Sequence, residues 1–375
     1  MIRRLRLKNF KCFEDETLEL RSLTLLSGLN GMGKSTVLQA LLLLRQSYLQ
    51  GLLTKKLIAL NGELISLGTA RDVLFEDAKE ERIGFEIELD NKTRANWVFK
   101  YDREADVLEQ TSPKVPDKIY KASLFNDAFH YLQAERIGPR TSFEMSDYQV
   151  RQHHQLGSRG EYAAHFLHQF GDSHRVLTVM QHSQGKSSSL KDQVEAWLRE
   201  ISPGVRIDVK PYSEMDLVSL QYSFEFGKQV SSPYRSTNTG FGITYTLSLL
   251  IAILSSNKDA LVLLENPEAH LHPKGQVNIG KLIAYAASSG VQIIVETHSD
   301  HLLNGIRLAV HDGKLNPQSV SLNYFERRNY ETFSRVVVNS PQIDHNGRID
   351  HWPEGFFDEW ERSLDALLRP KEKNE

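Results

Sequence analysis

The sequence predicts an α/β fold with a mostly parallel central sheet, an antiparallel β subdomain and an inserted, mainly helical lobe. Three observations carry that prediction. Between about 238 and 312, wholly apolar strands alternate with helices, the pattern of a parallel sheet covered on both faces. Residues 82–101 hold two alternating apolar and polar runs, as an antiparallel hairpin does. From about 141 to 229 the pattern changes, and two helix-forming stretches flank a polar segment.

Taken in order, "IRRLRLKNF" alternates Ile2, Leu5 and Leu7 with basic residues and suggests an edge strand. "SLTLLSG" (Ser22–Gly28) is a short buried strand, "LNGMGK" a turn, and "STVLQALLLLRQSYLQ" a strongly apolar helix. "RIGFEIEL" and "RANWVFKY" form the hairpin, and "FHYLQAERIGPR" (Phe129–Arg140) a strand ended by Gly138-Pro139. In the inserted lobe, "EYAAHFLHQF" and "LKDQVEAWLREI" are helices, the second stopped by "SPG". "QHSQGKSSSLK" between them is expected to be a mobile loop, and "VRIDVKPY" and "LVSLQYSFEF" to be strands.

The α/β character returns with a helix at Ile243–Leu254, strand "ALVLLE", helix "KGQVNIGKLIAYAASSG", strand "VQIIVE" and helix "DHLLNGIRLAV". Strands at Ser319–Phe325 and Phe333–Val338 and a helix at Phe356–Leu368 follow. The expected units are 1–140 and 230–312 as two parts of one domain, 141–229 as the insert, and 313–375 as a C-terminal extension. No heptad run or solenoid period occurs.

A chain of 375 residues can bury a substantial core, and its 40% apolar and 25% charged residues are those of an ordinary globular protein. Lys+Arg total 45 against Asp+Glu 48, a net charge of −3 that argues against general nucleic-acid binding and leaves room only for a local patch. A single cysteine, Cys12, excludes an internal disulfide and suits a small hydrophobe in a reducing compartment. "MIRRLRLKNF" lacks an apolar signal core, and the longest apolar run, Thr246–Leu254, is too short to cross a bilayer. A cytoplasmic protein without a membrane partner is expected.

"GLNGMGKS", Gly28 to Ser35, fits G-x-x-x-x-G-K-[ST] between a strand and a helix. Its glycines let backbone N–H groups curl around phosphate oxygens, and the helix start adds a favourable dipole. Lys34 would bridge the terminal phosphates and Ser35 would ligate Mg²⁺. The blander reading, a Gly-rich turn that merely caps a helix, requires the strand-and-helix context to be coincidence.

Such a loop needs a carboxylate at the end of a neighbouring buried strand, and "LVLLENPEAHLHP" places Glu265 at a strand tip. Alone, a strand-end glutamate would be a solvated carboxylate; beside the phosphate loop, a Mg²⁺ role is favoured. A zinc site at His270 and His272 is disfavoured, because i,i+2 on a loop is not a ligand spacing and no cysteine is near. "VQIIVETHSDH" puts His298 at another strand end, where ligands bind in open parallel sheets. The same residues could equally form a helix N-cap.

Together these segments resemble the ABC-type ATPases of the RecF/OLD/SMC branch: "RLKNFKCF", "GLNGMGKS", "STNTGFG", "LVLLENPEAHLHP" and "ETHSD" occur in that order. The "ENPEAHLHP" and "GFG" forms look most like compact prokaryotic AAA-like/OLD-like ATPases, several of which sit in phage-defence operons. The C-terminal "IDHNGRIDHWPEGFFDEWERSLDALL" is similar to an uncharacterised region that often follows this core. The resemblance covers both ends of the chain and matches the insert only loosely. It implies a P-loop NTPase with an ABC ATPase-like head, ATP and Mg²⁺ as ligands, and a head-to-head homodimer sandwiching two nucleotides.

In that arrangement one protomer supplies Asn30, Gly31, Met32, Gly33, Lys34, Ser35 and Thr36 of the phosphate loop, with Glu265 and His298. The other offers the signature segment Asn238-Thr239-Gly240-Phe241-Gly242 as backbone donors at a helix start. Asn9, Phe10 and Lys11 correspond to the family's nucleotide-contacting strand, or else form a solvated basic edge. The family's usual Asp-Glu pair is here Glu265-Asn266, and an amide cannot accept the proton of an attacking water. Hydrolysis is therefore expected to be slow, or Glu268 or His298 takes over. The signature lacks the common Ser-Gly-Gly-Gln form, and no D-x-D pair follows His298, so an appended nuclease is not expected.

Three functions follow as expectations. The first is an ATP-binding, slowly hydrolysing dimeric ATPase that gates an effector protein, a nuclease in phage defence being the model. The second is a RecF-like repair ATPase that binds DNA through Arg3, Arg4, Arg6, Lys8 and "GKSSSLK" acting as one patch. The third is a nucleotide-stabilised scaffold with little turnover.

Overall fold

The computed structural model describes residues 1–329 and 334–369. Strands β1 (Ile2–Phe10), β2 (Phe13–Glu19) and β3 (Leu23–Gly28) lead into helix α1 (Lys34–Leu49). Next come β4 (Leu57–Ala59), α2 (Ala70–Val73), β5 (Arg82–Leu89), β6 (Arg94–Lys100), β7 (Val107–Glu109) and β8 (Phe129–Leu132). The inserted stretch supplies β9 (Phe143–Glu144), α3 (Ala163–Phe170), α4 (Leu190–Arg199), β10 (Val205–Tyr212), β11 (Leu217–Phe226) and β12 (Gln229–Val230). Beyond β13 (Tyr234–Arg235) lie α5 (Phe241–Leu254), β14 (Leu261–Glu265), α6 (Pro273–Ser288), β15 (Gln292–Glu296) and α7 (Asp300–His311). The C-terminal region holds β16 (Val320–Asn329), β17 (Ser334–Asn339) and α8 (Glu359–Leu368).

The central sheet has the order β17-β16-β3-β15-β14-β8, parallel throughout except for β17. Alternate side chains enter two cores. Leu25, Val262, Leu264, Ile293 and Val295 pack with α5, α6 and α7, whereas Leu26, Leu261, Leu263 and Ile294 pack with α1 and the N-terminal sheet. Burial on both faces is why these strands are continuous apolar runs in the sequence. Among the described residues no helix is long and apolar enough to cross a membrane.

The antiparallel subdomain has the order β2-β1-β5-β6, so β1 is an interior strand and not an edge. Its basic residues are matched by acids on both neighbours: Arg4 by Glu19 and Glu88, Arg6 by Asp15 and Glu86. Lys8 pairs with Glu80. Cross-strand charge pairing therefore accounts for the alternation, and these three side chains do not form a free basic patch.

Three further expectations are corrected. The strand expected at Phe129–Arg140 ends at Leu132, because the Gln133 N–H turns to the Ser158 carbonyl and the Ala134 N–H to Glu265. The insert is not mainly helical: helices of 8 and 10 residues lie on an antiparallel layer whose main strands are also 8 and 10 residues long. Their amphipathic faces meet in one core through Val194, Leu198, Ile207 and Leu220. The closing helix begins at Glu359, and Phe356 is buried against Tyr324 instead of opening it. Phe333, expected to start a strand, lies outside the described residues. The polar 181–191 segment is tied to α4, since Gln193 accepts from the His182 N–H and donates to the Ser187 carbonyl.

Candidate functional site

β3 runs directly into the Gly28–Ser35 loop, and α1 starts at Lys34 with Gly33 as its N-cap. Gly28 and Gly33 have φ of 138° and 91°, where L side chains are rare. A Cβ on Gly28 would stand 2.3 Å from the Phe325 carbonyl oxygen, and one on Gly33 would stand 2.4 Å from Cys12 Sγ. Conformation and space together thus demand glycine at both positions. Loop amides at the start of a 16-residue helix are an arrangement that favours an anion.

Lys34 is only 3% exposed, and its ammonium donates to the Gly28 and Leu29 carbonyls at 2.9 Å each. It lies 3.9 Å from Glu296 Oε1, and the Ser35 hydroxyl donates to that same oxygen at 3.1 Å. Burial pulls the Lys34 pKa down, opposed by Glu296. Burial pushes the Glu296 pKa up, opposed by the Ser35 hydrogen bond and Lys34. Its second oxygen is buried with no protein partner. Asn30 and Gly31 are exposed at the loop tip, Met32 packs on the N-terminal core, and Thr36 is buried 3.9 Å from Cys12 Sγ.

Glu265 sits one strand further out. Its two oxygens accept from the Tyr131 hydroxyl at 2.9 Å and the Ala134 N–H at 3.0 Å. The carboxylate against Ser35 is therefore Glu296, which stands in the sequence motif but was assigned no role there. The reason is strand order: β15 separates β14 from β3, and Glu265 pairs in register with Glu296. The acidic end of "VQIIVE" was the available signal, and its adjacency to β3 was not.

Asn266 has φ 44°, a left-handed conformation that asparagine tolerates. Its N–H donates to the Glu296 carbonyl at 2.9 Å. Arg136, also 3% exposed, donates to the Glu265 and Asn266 carbonyls at 2.8 Å each and stacks 4.2 Å over the Tyr245 ring. Nothing in the sequence singled out Arg136. Burial lowers its pKa, opposed by Tyr245, Glu268 and Glu265.

Glu268 is buried; one oxygen accepts from the His298 N–H at 2.8 Å, and the other has no protein partner. Glu268 and His298 are thus brought together through the backbone. The His298 side chain is exposed, and its pKa is lowered by partial burial and by Lys34, against Glu268. The N-cap reading of "THSD" holds for Ser299, whose hydroxyl accepts from the Leu302 N–H at 3.0 Å.

The N-terminal trio divides. Asn9 is buried and donates to the Glu80 and Arg82 carbonyls, and Phe10 is buried against Phe85. Their side chains are structural, and neither forms part of a solvated edge. Lys11 reaches α1, donating to Gln39 at 2.9 Å. The signature segment is an exposed helix start: Asn238 ends a single 3₁₀ turn, the Thr239 hydroxyl donates to the Ser236 carbonyl, and Gly240 caps α5. Phe241 rests on the His270 ring, and a Cβ on Gly242 would meet the His270 carbonyl at 2.7 Å. Among the described residues no hydrogen bond joins this segment to the phosphate loop.

Among the described residues no cluster of three His, Cys, Asp or Glu side chains is placed to hold a metal unaided. Mg²⁺ bound together with phosphates needs only a hydroxyl and one or two carboxylates. Ser35 and the unpaired Glu296 oxygen fit that requirement. His272 caps α6 and His270 packs on Phe241 and Tyr245, so neither is arranged for zinc.

A family model described as "AAA domain, putative AbiEii toxin, Type IV TA system" matches residues 23–304, and one described as "Protein of unknown function (DUF3696)" matches residues 315–367. No curated protein matches the chain. Among solved structures, an SMC head bound to the C-winged helix domain of ScpA aligns with a TM-score of 0.53 at 14% identity, covering 90% of this chain and 98% of that one. An SMC head domain with an extended coiled coil, bound to the C-terminal domain of ScpA and derived from Pyrococcus furiosus, gives 0.52 at 13% identity over 98% and 99%. These likenesses show a shared fold.

Proposed function

The chain belongs to the AAA domain family matched over residues 23–304, and from that premise we propose a slow ATPase whose two copies close on Mg²⁺·ATP to gate a partner. The observation that carries the reading is the convergence of Lys34, Ser35 and Glu296 beneath a loop that only glycine can build. In this reading residues 1–140 and 230–312 form the ATPase head, 141–229 a movable lobe and 313–375 an extension to which no role is assigned. The loop from Asn30 to Thr36 cradles the phosphates, Lys34 neutralises them, and Ser35 with a strand-end carboxylate holds the metal side. The second copy supplies the exposed α5 start, Asn238 to Gly242, as amide donors.

Turnover is slow because Asn266 cannot take a proton. Glu268, with one unpaired oxygen beside the His298 backbone, is the residue proposed to polarise water in its place. ATP-driven closure would shift the insert and change the state of a partner, with a nuclease of phage defence as the model. The DNA-binding reading loses its main support, because Arg4, Arg6 and Lys8 are already paired with acids.

Light scattering of the full chain with and without Mg²⁺·ATP, read beside phosphate release, tests the proposal. The mass should double with ATP, and turnover should fall below the ~1–1000 s⁻¹ common among enzymes. An unchanged mass at saturating ATP would sink the dimer reading, and fast turnover would remove the role given to Asn266.

A further inference from the structure

We propose that a cavity between the insert and the central sheet binds an uncharged nitrogen heterocycle of nucleoside size, at a site separate from the phosphate loop. The cavity holds about 450 Å³, within the range of small-molecule sites. The insert supplies one wall, through Phe166 and Phe170 of α3 and His154 before it. The opposite wall is His130 of β8 with Ser255 and Ser256, which follow α5. β8 and β14 begin beside the cavity and run parallel to β3, so it lies at the other end of the sheet from the Gly28–Ser35 loop. The five residues of β14 alone span ~16 Å.

The lining selects the ligand class. The His154 ring stacks on Phe170 with centroids 5.0 Å apart, and Phe166 stands at 80° to His130. Such aromatic faces suit a planar ring, as bases stack on aromatic side chains. His130 is 7% exposed and short of hydrogen bonds: its Nδ1 has no partner, and its Nε2 only approaches the Ser255 hydroxyl at 3.5 Å. Buried polar groups are ordinarily satisfied, so this ring has bonding capacity left over. Burial, aided by Arg45, His154 and His174, pushes the His130 pKa down to about 4, which leaves the ring neutral near pH 7. A neutral imidazole beside a hydroxyl offers both a donor and an acceptor, the pair that one edge of a nucleobase presents. Charge excludes phosphates. No lysine or arginine lines the cavity among the described residues, and its one carboxylate, Asp127, stands at the exposed mouth, 3.1 Å from His153.

The test is saturation-transfer NMR of the full chain with adenosine, guanosine, cytidine and uridine, repeated in excess Mg²⁺·ATP. At least one nucleoside should bind with a Kd below ~1 mM, and ATP should not displace it. Ser173→Trp fills the mouth from an exposed lining position and should abolish the signal. His130→Phe keeps a ring but removes its nitrogens, and should weaken binding by ~5-fold or more. If no nucleoside binds wild type, if ATP displaces the bound one, or if binding survives Ser173→Trp, the site is overturned. Unchanged affinity in folded His130→Phe refutes the imidazole's part; should that variant fail to fold, Ser173→Trp decides.

Discussion

Gly28→Ala should destabilise the folded chain by roughly 2–6 kcal/mol, the sum of ~1–3 for a disfavoured backbone region and ~1–3 for overpacking. The added Cβ would press on the backbone carbonyl of Phe325, which faces Gly28 across the β16–β3 pairing and cannot rotate away as a side chain would. Gly31→Ala is the control. Gly31 also has a positive φ, of 77°, but nothing lies within 4 Å of its added Cβ. It should cost only about 1–2 kcal/mol. Urea unfolding of both variants reads the difference, and equal losses would show that the Phe325 contact is not what demands glycine.

Arg136→Ala should cost about 2–6 kcal/mol, because two part-buried carbonyls each lose a charged donor at ~1–3 kcal/mol. Those carbonyls belong to Glu265 and Asn266, so the damage falls on the turn that presents the candidate water-polarising region. Arg136→Lys should recover little of the loss. One ammonium cannot reproduce a planar fork that spans two carbonyls and stacks on Tyr245. A lysine variant as stable as wild type in thermal melts would refute the fork argument.

Much of the architecture is legible in local pattern. The Gly28–Ser35 loop announces itself because its glycines, lysine and serine are adjacent in the chain and lie between a buried strand and a helix. β14 and β15 are recognisable because burial on both faces leaves no polar position inside them. Strand order is what local pattern omits. The alternation of β1 is the same for an edge strand and for one flanked by acids on β2 and β5. The ends of β14 and β15 both carry glutamate, and only their order beside β3 shows which one meets Ser35. Arg136 is invisible for a related reason: its partners are main-chain carbonyls about 130 residues away, and carbonyls leave no residue type to read.

The central claim is that the Gly28–Ser35 loop holds ATP, and titrating Mg²⁺·ATP into wild type and Lys34→Ala by calorimetry tests it most directly. Wild type should bind one nucleotide per chain, and Lys34→Ala should bind at least ~30-fold more weakly, as expected when a charge partner worth ~2 kcal/mol or more is removed. Equal affinities in two folded proteins, or no binding to wild type, would contradict it.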